Sequence, residues 1–114
     1  MYLILNVRYA ERKRRLTIHL QENGIKKEFV MIHRLKIYPE YYQAVIEKRK
    51  PFEIRNNDRN FQSQDNIILN EYKDGEYTGR FCVGIIQDIF DVSFLMPGYV
   101  AFTFKLLGEY EEMN

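Results

Sequence analysis

The stretch NIILNEYKDGEYTGRFCVGIIQDIF, residues 66–90, predicts the fold because it contains two β-strands joined by a tight turn. Residues 66–72 form the first strand, Lys73-Asp74-Gly75 the turn and residues 76–90 the second strand, since Asp and Gly are typical turn residues. GYVAFTFKLL, at 98–107, predicts the last strand of the chain. The C-terminal part of the sequence is therefore a series of strands.

Upstream of this hairpin, the sequence predicts one helix at residues 39–47 and a short strand, FEIR, at 52–55. Pro39 suits the first position of a helix, and Glu40 favours the positive end of the helix dipole. Pro51 prevents the helix from continuing towards the strand. We therefore expect a single main helix between two groups of strands.

The first third of the chain predicts three further strands. Residues 2–9 and 16–21 each place apolar side chains on one face. Asn23-Gly24 favours a tight hairpin turn into a return strand over residues 25–35. The connection between the first two strands, AERKRR at 10–15, is very basic. It is either a solvated hairpin tip or an arm that contacts phosphates.

These elements predict one mostly β domain with α+β content, a small and mostly antiparallel β-barrel. Its 114 residues are enough for one hydrophobic core. We expect residues 1–31 to be an ordered N-terminal β-hairpin extension that pairs with the barrel or with a second copy. Residues 32–107 form the barrel, and residues 108–114 form an acidic tail that frays.

The composition excludes several classes of protein. With 46% hydrophobic residues, 9 Tyr and 8 Phe, the chain is not intrinsically disordered. No apolar stretch is long enough to span a membrane, and the opening MYLILNVR lacks the basic start of a signal peptide. The single Cys82 is expected to be buried and inert, and with two His it cannot build a zinc finger. We therefore expect no metal, no cofactor and a reducing, cytoplasmic location.

The net charge of +1 hides an uneven distribution of charge. Residues 1–59 contain 14 Lys and Arg against 7 Asp and Glu, whereas residues 60–114 contain 3 against 9. Such a division indicates either a basic face for polyanions or two halves that attract each other within one fold. The sequence leaves both interpretations open.

Several short motifs follow one another between residues 32 and 104: His33-Arg34-Leu35-Lys36, Pro39-Glu40-Tyr41, PFEIRNNDRNFQSQD at 51–65, Tyr77-Thr78-Gly79-Arg80 and Gly98-Tyr99-Val100. Together they resemble a short bacterial and phage family of unassigned function that belongs to the ASCH/PUA-like superfamily. The wider ASCH signature is G-x-K-x-x-E-x-R, which Lys50, Glu53 and Arg55 match. Lys48 and Gln64 each stand where the family has a glycine, so the turns at those positions are expected to differ.

The resemblance implies a PUA-like β-barrel with a cleft between the helix and the barrel that meets RNA or a nucleotide. The candidate ligand-binding residues are Lys50, Glu53, Arg55, Arg59, His33 and Lys36. Glu53 and Arg55 are two apart on a strand and therefore project from one face. Arg55 can clamp a phosphate or stack on a base, Lys50 adds a mobile charge, and Glu53 can accept from a base or hold Arg55 in place.

Each candidate also has a purely structural interpretation. Glu53 and Arg55 can simply bridge the helix end to the barrel, and Asn57-Asp58-Arg59 is typical of a turn. A lone histidine such as His33 is more often a packed, hydrogen-bonded residue than a ligand. Three tyrosines at helical spacing are more often core residues than platforms for bases: Tyr38, Tyr41 and Tyr42.

The motifs of conventional enzymes are absent from the sequence. Some small ASCH proteins are amidohydrolases on acetylated cytidine that use a Lys and a Thr three residues later. Lys50 matches that Lys, but Glu53 stands at the position of the Thr, and a carboxylate is a poor replacement for an activated hydroxyl. A nucleoside-directed amidohydrolase using Lys50 and Glu53 and a homodimerising interaction module are thus alternatives to RNA or nucleotide binding. We expect a monomer.

Overall fold

A computed structural model of the chain describes residues 3–10, 15–22 and 25–112. Over these residues the chain forms seven strands and one helix, which confirms the predicted mostly β fold with a single main helix. In chain order the elements are β1 (Leu3–Ala10), β2 (Arg15–Glu22), β3 (Ile25–Ile37), α1 (Pro39–Ile46), β4 (Phe52–Asn56), β5 (Asn66–Lys73), β6 (Glu76–Asp91) and β7 (Tyr99–Glu111).

The strands form one sheet in the order β1-β2-β3-β5-β6-β7-β4. Neighbouring strands are antiparallel, except that β3 and β5 run parallel. The sheet curls into a half-barrel, with β1 and β4 as its edges among the described strands. The segment between the two parallel strands contains α1, which packs against one side of the sheet, and β4, which forms an edge of the sheet.

Two element boundaries differ from the sequence-based expectation. Strand β3 runs to Ile37, beyond the predicted end at residue 35. Strand β7 continues to Glu111, so the prediction of a frayed tail from residue 108 was wrong for residues 108–111. Tyr110 and Glu111 pair with Phe81 and Arg80 on β6, which keeps this acidic segment in the sheet. The Asn23-Gly24 turn and residues 11–14 of the basic connection lie outside the described residues.

The core lies between the concave face of the sheet and α1. Strand β5 alternates strictly between buried and half-buried residues, as expected for a strand with one face against a core. Cys82 belongs to this core, as predicted, and burial raises the pKa of its thiol to about 12. The largest fully buried side chains are Tyr42, Phe102, Ile67, Leu69, Ile86, His33, Val45 and Cys82.

Helix α1 is only eight residues long and buries one face. Tyr42 and Val45 lie in the core, which confirms the core interpretation for Tyr42. The same interpretation was wrong for Tyr38 and Tyr41, whose side chains are exposed. Tyr41 precedes the buried Tyr42 by one position, or about 100° around the helix, and therefore points away from the core. No helix in the described part of the chain is long and apolar enough to cross a membrane.

Candidate functional site: a basic cleft beside strand β4

Strand β4 has the reverse of the usual alternation of polar and apolar residues. Phe52 and Ile54 are exposed, whereas Glu53 is buried and its side chain is only 5% exposed. Because successive residues of a strand point to opposite faces, Arg55 lies on the same inner side as Glu53. The carboxylate of Glu53 therefore faces the inside of the fold, and the apolar side chains of Phe52 and Ile54 face solvent.

Two cations neutralise the buried Glu53. The ammonium group of Lys50 donates a hydrogen bond to Oε1, and Nε of Arg55 donates to Oε2 at 2.7 Å. Lys50 also donates to the carbonyl oxygen of Phe52 at 2.8 Å. A buried carboxylate is tolerated when it is paired in this way. The K-x-x-E-x-R spacing therefore corresponds to one connected network in which positive charges outnumber the negative one.

Arginine side chains also cross from the β4 side of the cleft to β3. Nη2 of Arg55 donates to the carbonyl oxygen of Lys36 at 2.7 Å, and Nη1 of Arg59 donates to the carbonyl oxygen of Arg34. Backbone pairing of β3 with β2 ends at His33, so both carbonyls lie just beyond that ladder. Arg55 thus connects β4 to β3, which is not its neighbour in the sheet, and Arg59 connects the loop after β4 to the same strand.

A cavity of about 640 Å³ opens beside this network. The side chains of Lys50, Arg55 and Arg59 line it against two carboxylates, and exposed aromatic residues lie around them. Their arrangement suits an anionic ligand with a planar group. Lys36 reaches the cleft through its carbonyl oxygen, which accepts from Arg55, whereas its ammonium lies over the rings of Tyr72 and Tyr77. The charged residues that line this cavity, which we call the basic cleft, are Lys36, Lys50, Arg55, Arg59, Glu53 and Asp58, and the aromatic ones are Tyr38, Tyr41, Phe52, Phe61 and Tyr99.

The end of α1 directs Lys50 towards Glu53. The amide of Lys48 donates to Val45 and the amide of Arg49 to Ala44, which is the hydrogen-bond pattern of a Schellman motif. Such a motif needs a left-handed residue, and Lys48 has φ 62° at that point. Lys48 therefore adopts the left-handed conformation that a glycine would adopt here. The expectation that this turn differs because it lacks a glycine is not met in its φ angle.

Gln64, at the second position where the resemblance leads us to expect a glycine, is also left-handed, with φ 75°. Its amide donates to the carbonyl of Ile86 at 2.7 Å, which holds the turn against β6. Earlier in the same loop, Oδ1 of Asn57 accepts from the amide of Phe61 at 2.9 Å. The predicted turn at Asn57-Asp58-Arg59 is thus confirmed, and it places Arg59 at the cleft.

The structure does not bring His33 to the basic cleft. Its ring is fully buried, edge-on to Phe61 at 4.7 Å, and its Nε2 lies 2.7 Å from Oδ2 of Asp65. Since a carboxylate only accepts, Nε2 carries the proton. The same oxygen of Asp65 accepts from the amide of Gln62 at 3.0 Å. His33 therefore connects β3 to the loop before β5, and the other five candidate residues line the cleft.

A second polar cluster, around Glu71, was not singled out from the sequence. Thr78 donates to Oε1 of Glu71 at 2.7 Å, and Nε of Arg80 forms an ion pair with that oxygen at 3.2 Å. Arg80 also donates to Gln43 of α1 at 3.2 Å and lies 4.7 Å from the centre of the Tyr42 ring. Burial, the largest effect, raises the pKa of Tyr42 to about 12. This cluster fastens α1 to the sheet.

The chemistry available in the basic cleft is ionic and hydrogen-bonding. Both oxygens of Glu53 are occupied by Lys50 and Arg55, and a carboxylate in two such contacts is a weak nucleophile. In the part of the chain that the structure describes, no group of three or more His, Cys, Asp or Glu is placed to hold a metal ion. The side chains of Lys50, Arg55 and Arg59 offer hydrogen-bond donors and positive charge at the cavity.

Fold and site together define a mostly β domain with a basic cleft between its helix, an edge strand and β3. Residues 32–104 match the model of a family described as a domain of unknown function, DUF3850, and the chain belongs to this family. It is also 37% identical over 78 residues to an uncharacterized 12.9 kDa protein in the GpA 3′ region of Escherichia phage P2. That alignment covers 68% of this chain and 71% of the phage protein. The matched family range includes His33 and the residues of the basic cleft.

Proposed function

We propose that this protein binds a nucleotide or single-stranded RNA in the basic cleft. The observation that carries the proposal is the network in which Lys50 and Arg55 flank the buried Glu53 at the cavity. Buried charge of this kind is costly and requires compensation by specific partners. Its position beside an open cavity, rather than deep in the core, favours a role in ligand binding.

The charges of the cleft suit a phosphate. The side chain of Arg55 is 27% exposed, so its guanidinium is accessible while two of its nitrogens are held in place. A guanidinium held in a fixed plane loses less entropy when it binds a phosphate. Lys50, which shares Glu53 with Arg55, adds a second positive charge at the cleft. We expect Arg55 to be the central phosphate contact.

The rim of the cleft suits a base. Tyr38, Tyr41 and Phe52 are exposed and line the same cavity. Bases of single-stranded RNA commonly stack on such aromatic side chains. The ammonium of Lys50 lies 5.0 Å from the Phe52 ring centre and 5.8 Å from that of Tyr41, so charge and aromatic surface are adjacent.

We further propose that the half-barrel is a PUA-like domain of the ASCH type. Two observations support this proposal: the sheet curls around one main helix, and the residues of the ASCH signature, Lys50, Glu53 and Arg55, form a single network in space. A crystal structure whose strand connectivity differs from that of PUA-like barrels would contradict it.

The experiment is a binding titration of a short, labelled single-stranded RNA against the parent protein and two variants. Arg55→Ala should weaken binding by about 1–3 kcal/mol, the contribution of one good contact. Arg49→Ala is the matched control, because Arg49 is exposed and pairs with Glu47 outside the cleft. Each phosphate neutralised should add about 0.7 to the log–log slope against salt. Absence of binding to RNA and to mononucleotides at low salt would refute the proposal.

A further inference from the structure

The outer, convex face of the sheet carries paired aromatic side chains. Tyr72 and Tyr77 face each other across β5 and β6, with ring centres 5.2 Å apart. Phe81 and Tyr110 face each other across β6 and β7 and are stacked, with centres 5.4 Å apart and planes at 26°. Tyr72 follows the buried Glu71 and Phe81 precedes the buried Cys82, so both point away from the core. Tyr77 and Tyr110 lie directly opposite them on the neighbouring strands and therefore share that face.

Cations lie beside these rings. The ammonium of Lys36 is 4.5 Å from the centre of the Tyr72 ring and 5.9 Å from that of Tyr77. Arg34, two residues earlier on the same strand, is exposed. A cavity of about 470 Å³ lies on this face. Its lining residues, which we call the outer aromatic face, are Arg34, Leu35, Lys36, Asn70, Tyr77, Gly79, Phe81 and Glu112.

The outer aromatic face is continuous with the basic cleft. Leu35 and Lys36 line both cavities, so this short piece of β3 is the wall between them. The carbonyl oxygens of Arg34 and Lys36 are the acceptors for Arg59 and Arg55 from the cleft side. A flexible polyanion that extends from the cleft past this wall would reach the ammonium of Lys36 and the adjacent rings of Tyr72 and Tyr77.

We infer that the outer aromatic face is a second binding site, for the continuation of a single-stranded RNA whose first nucleotides occupy the basic cleft. This inference rests on the proposed function. Bases stack on Tyr77 and Phe81, Arg34 and Lys36 contact phosphates, and Asn70 offers both donor and acceptor to a base edge. The combination of exposed rings with cations on adjacent strands favours RNA over an apolar protein segment, which would gain nothing from the two cations.

The test compares a trinucleotide, which reaches only the cleft, with an RNA of about twelve nucleotides, which is long enough to cover both sites. Tyr77→Ala should weaken binding of the long RNA about tenfold, the effect of losing one stacked base, and leave the trinucleotide unaffected. Arg55→Ala should weaken both. Phe90→Ala is the matched control: it lies on the same strand, is 56% exposed against 55% for Tyr77, and lines neither cavity.

A crosslinking experiment with 4-thiouridine in the long RNA gives an independent readout, and crosslinks should map to Tyr77 or Phe81. Equal binding of the long RNA by the parent and Tyr77→Ala, with crosslinks confined to the cleft, would overturn this inference and leave the cleft proposal intact. Failure of the parent to bind either RNA would overturn both. Melting temperatures of all three variants show whether a loss of binding reflects a loss of folding.

Discussion

Arg55 donates a hydrogen bond from Nη2 to the carbonyl oxygen of Lys36 at 2.7 Å and thereby joins the edge strand β4 to β3. No backbone ladder connects these two strands in the described sheet. The same guanidinium holds Glu53 through Nε. One side chain therefore stabilises the walls of the cleft and is also placed to meet its ligand.

Replacing Arg55 with lysine should destabilise the fold while leaving the net charge unchanged. An ammonium group is a point donor and cannot reach Glu53 and the carbonyl of Lys36 as a planar fork does. We expect Arg55→Lys to lower the free energy of unfolding by about 1–2 kcal/mol, measured by urea denaturation. Arg49→Lys, at an exposed pair, is the control. Equal stability of the two variants would mean that the contact to β3 contributes nothing.

His33 should matter for stability and not for RNA. Its removal leaves the side chain of the buried Asp65 with the amide of Gln62 but without the imidazole, and we expect His33→Ala to cost about 2–3 kcal/mol. Below its melting temperature the variant should bind the short RNA as the parent does. Lost RNA binding in a variant of unchanged stability would instead identify His33 as a ligand-binding residue.

Placing a glycine at position 64 should stabilise the protein. Gln64 has φ 75°, a conformation that costs a non-glycine residue energy and glycine almost none. We expect Gln64→Gly to raise the free energy of unfolding by about 0.5–1 kcal/mol, measured by urea denaturation. Gln62→Gly, nearby but without a positive φ, should have the opposite effect. If Gln64→Gly lowered the free energy of unfolding, the added conformational entropy of the unfolded chain would outweigh the backbone strain relieved in the folded state.

Stability should fall in alkaline solution, beginning near the ordinary pKa of a thiol. Burial raises the pKa of Cys82 and of Tyr42 to about 12 each. The unfolded chain loses the thiol proton at about pH 8.5 and the phenol proton at about pH 10, while the folded chain keeps both. The free energy of unfolding therefore decreases as pH rises from about 8.5 towards 12, by up to about 1.4 kcal/mol per pH unit for each group.

Cys82→Ala separates the two contributions to this pH dependence. The variant should keep a flat stability profile up to about pH 10 and decline above it, where only Tyr42 contributes. Urea denaturation at a series of pH values measures both profiles. Identical curves for the parent and the variant would contradict a protonated, buried thiol.

The purified protein should not release acetate from acetylated cytidine above the uncatalysed rate. Lys50 is held by Glu53 and by the carbonyl of Phe52, and no hydroxyl stands three residues after it. Acetate release can be followed by chromatography of the nucleoside. Turnover that disappears in Lys50→Ala would favour the amidohydrolase alternative over simple binding.

The local elements of the fold were predictable from the sequence because local chemistry specifies them. Lys73-Asp74-Gly75 forms the hairpin turn, with positive φ at both Asp74 and Gly75. Pro39 begins the helix, and Cys82 is buried as its apolar neighbours indicated. The shared inner side of Glu53 and Arg55 follows from the period of two in a strand.

Contacts between distant parts of the chain were not predictable in the same way. The bonds from Arg55 and Arg59 to carbonyls of β3 span 19 and 25 residues, and a backbone acceptor leaves no mark in the sequence. The Glu71–Arg80 pair depends on the pairing register of β5 and β6, which shifts between Asn70 and Tyr72. Tyr41 was assigned to the core because the helical pattern alone cannot say which of two adjacent aromatic residues faces the sheet.

The position of β4 at the edge of the sheet determines which part of the molecule unfolds most easily. Strands β5, β6 and β7 follow one another in the chain and pair as neighbours, so they form a unit of mostly local contacts. Among the described strands β4 pairs with β7 alone, and Arg55 adds a contact from β4 to β3. A partial unfolding that releases β4 would destroy the cleft and leave β5, β6 and β7 paired. Amide hydrogens of β4 should then exchange ahead of those in β5 and β6, and a ligand in the cleft would slow that exchange first.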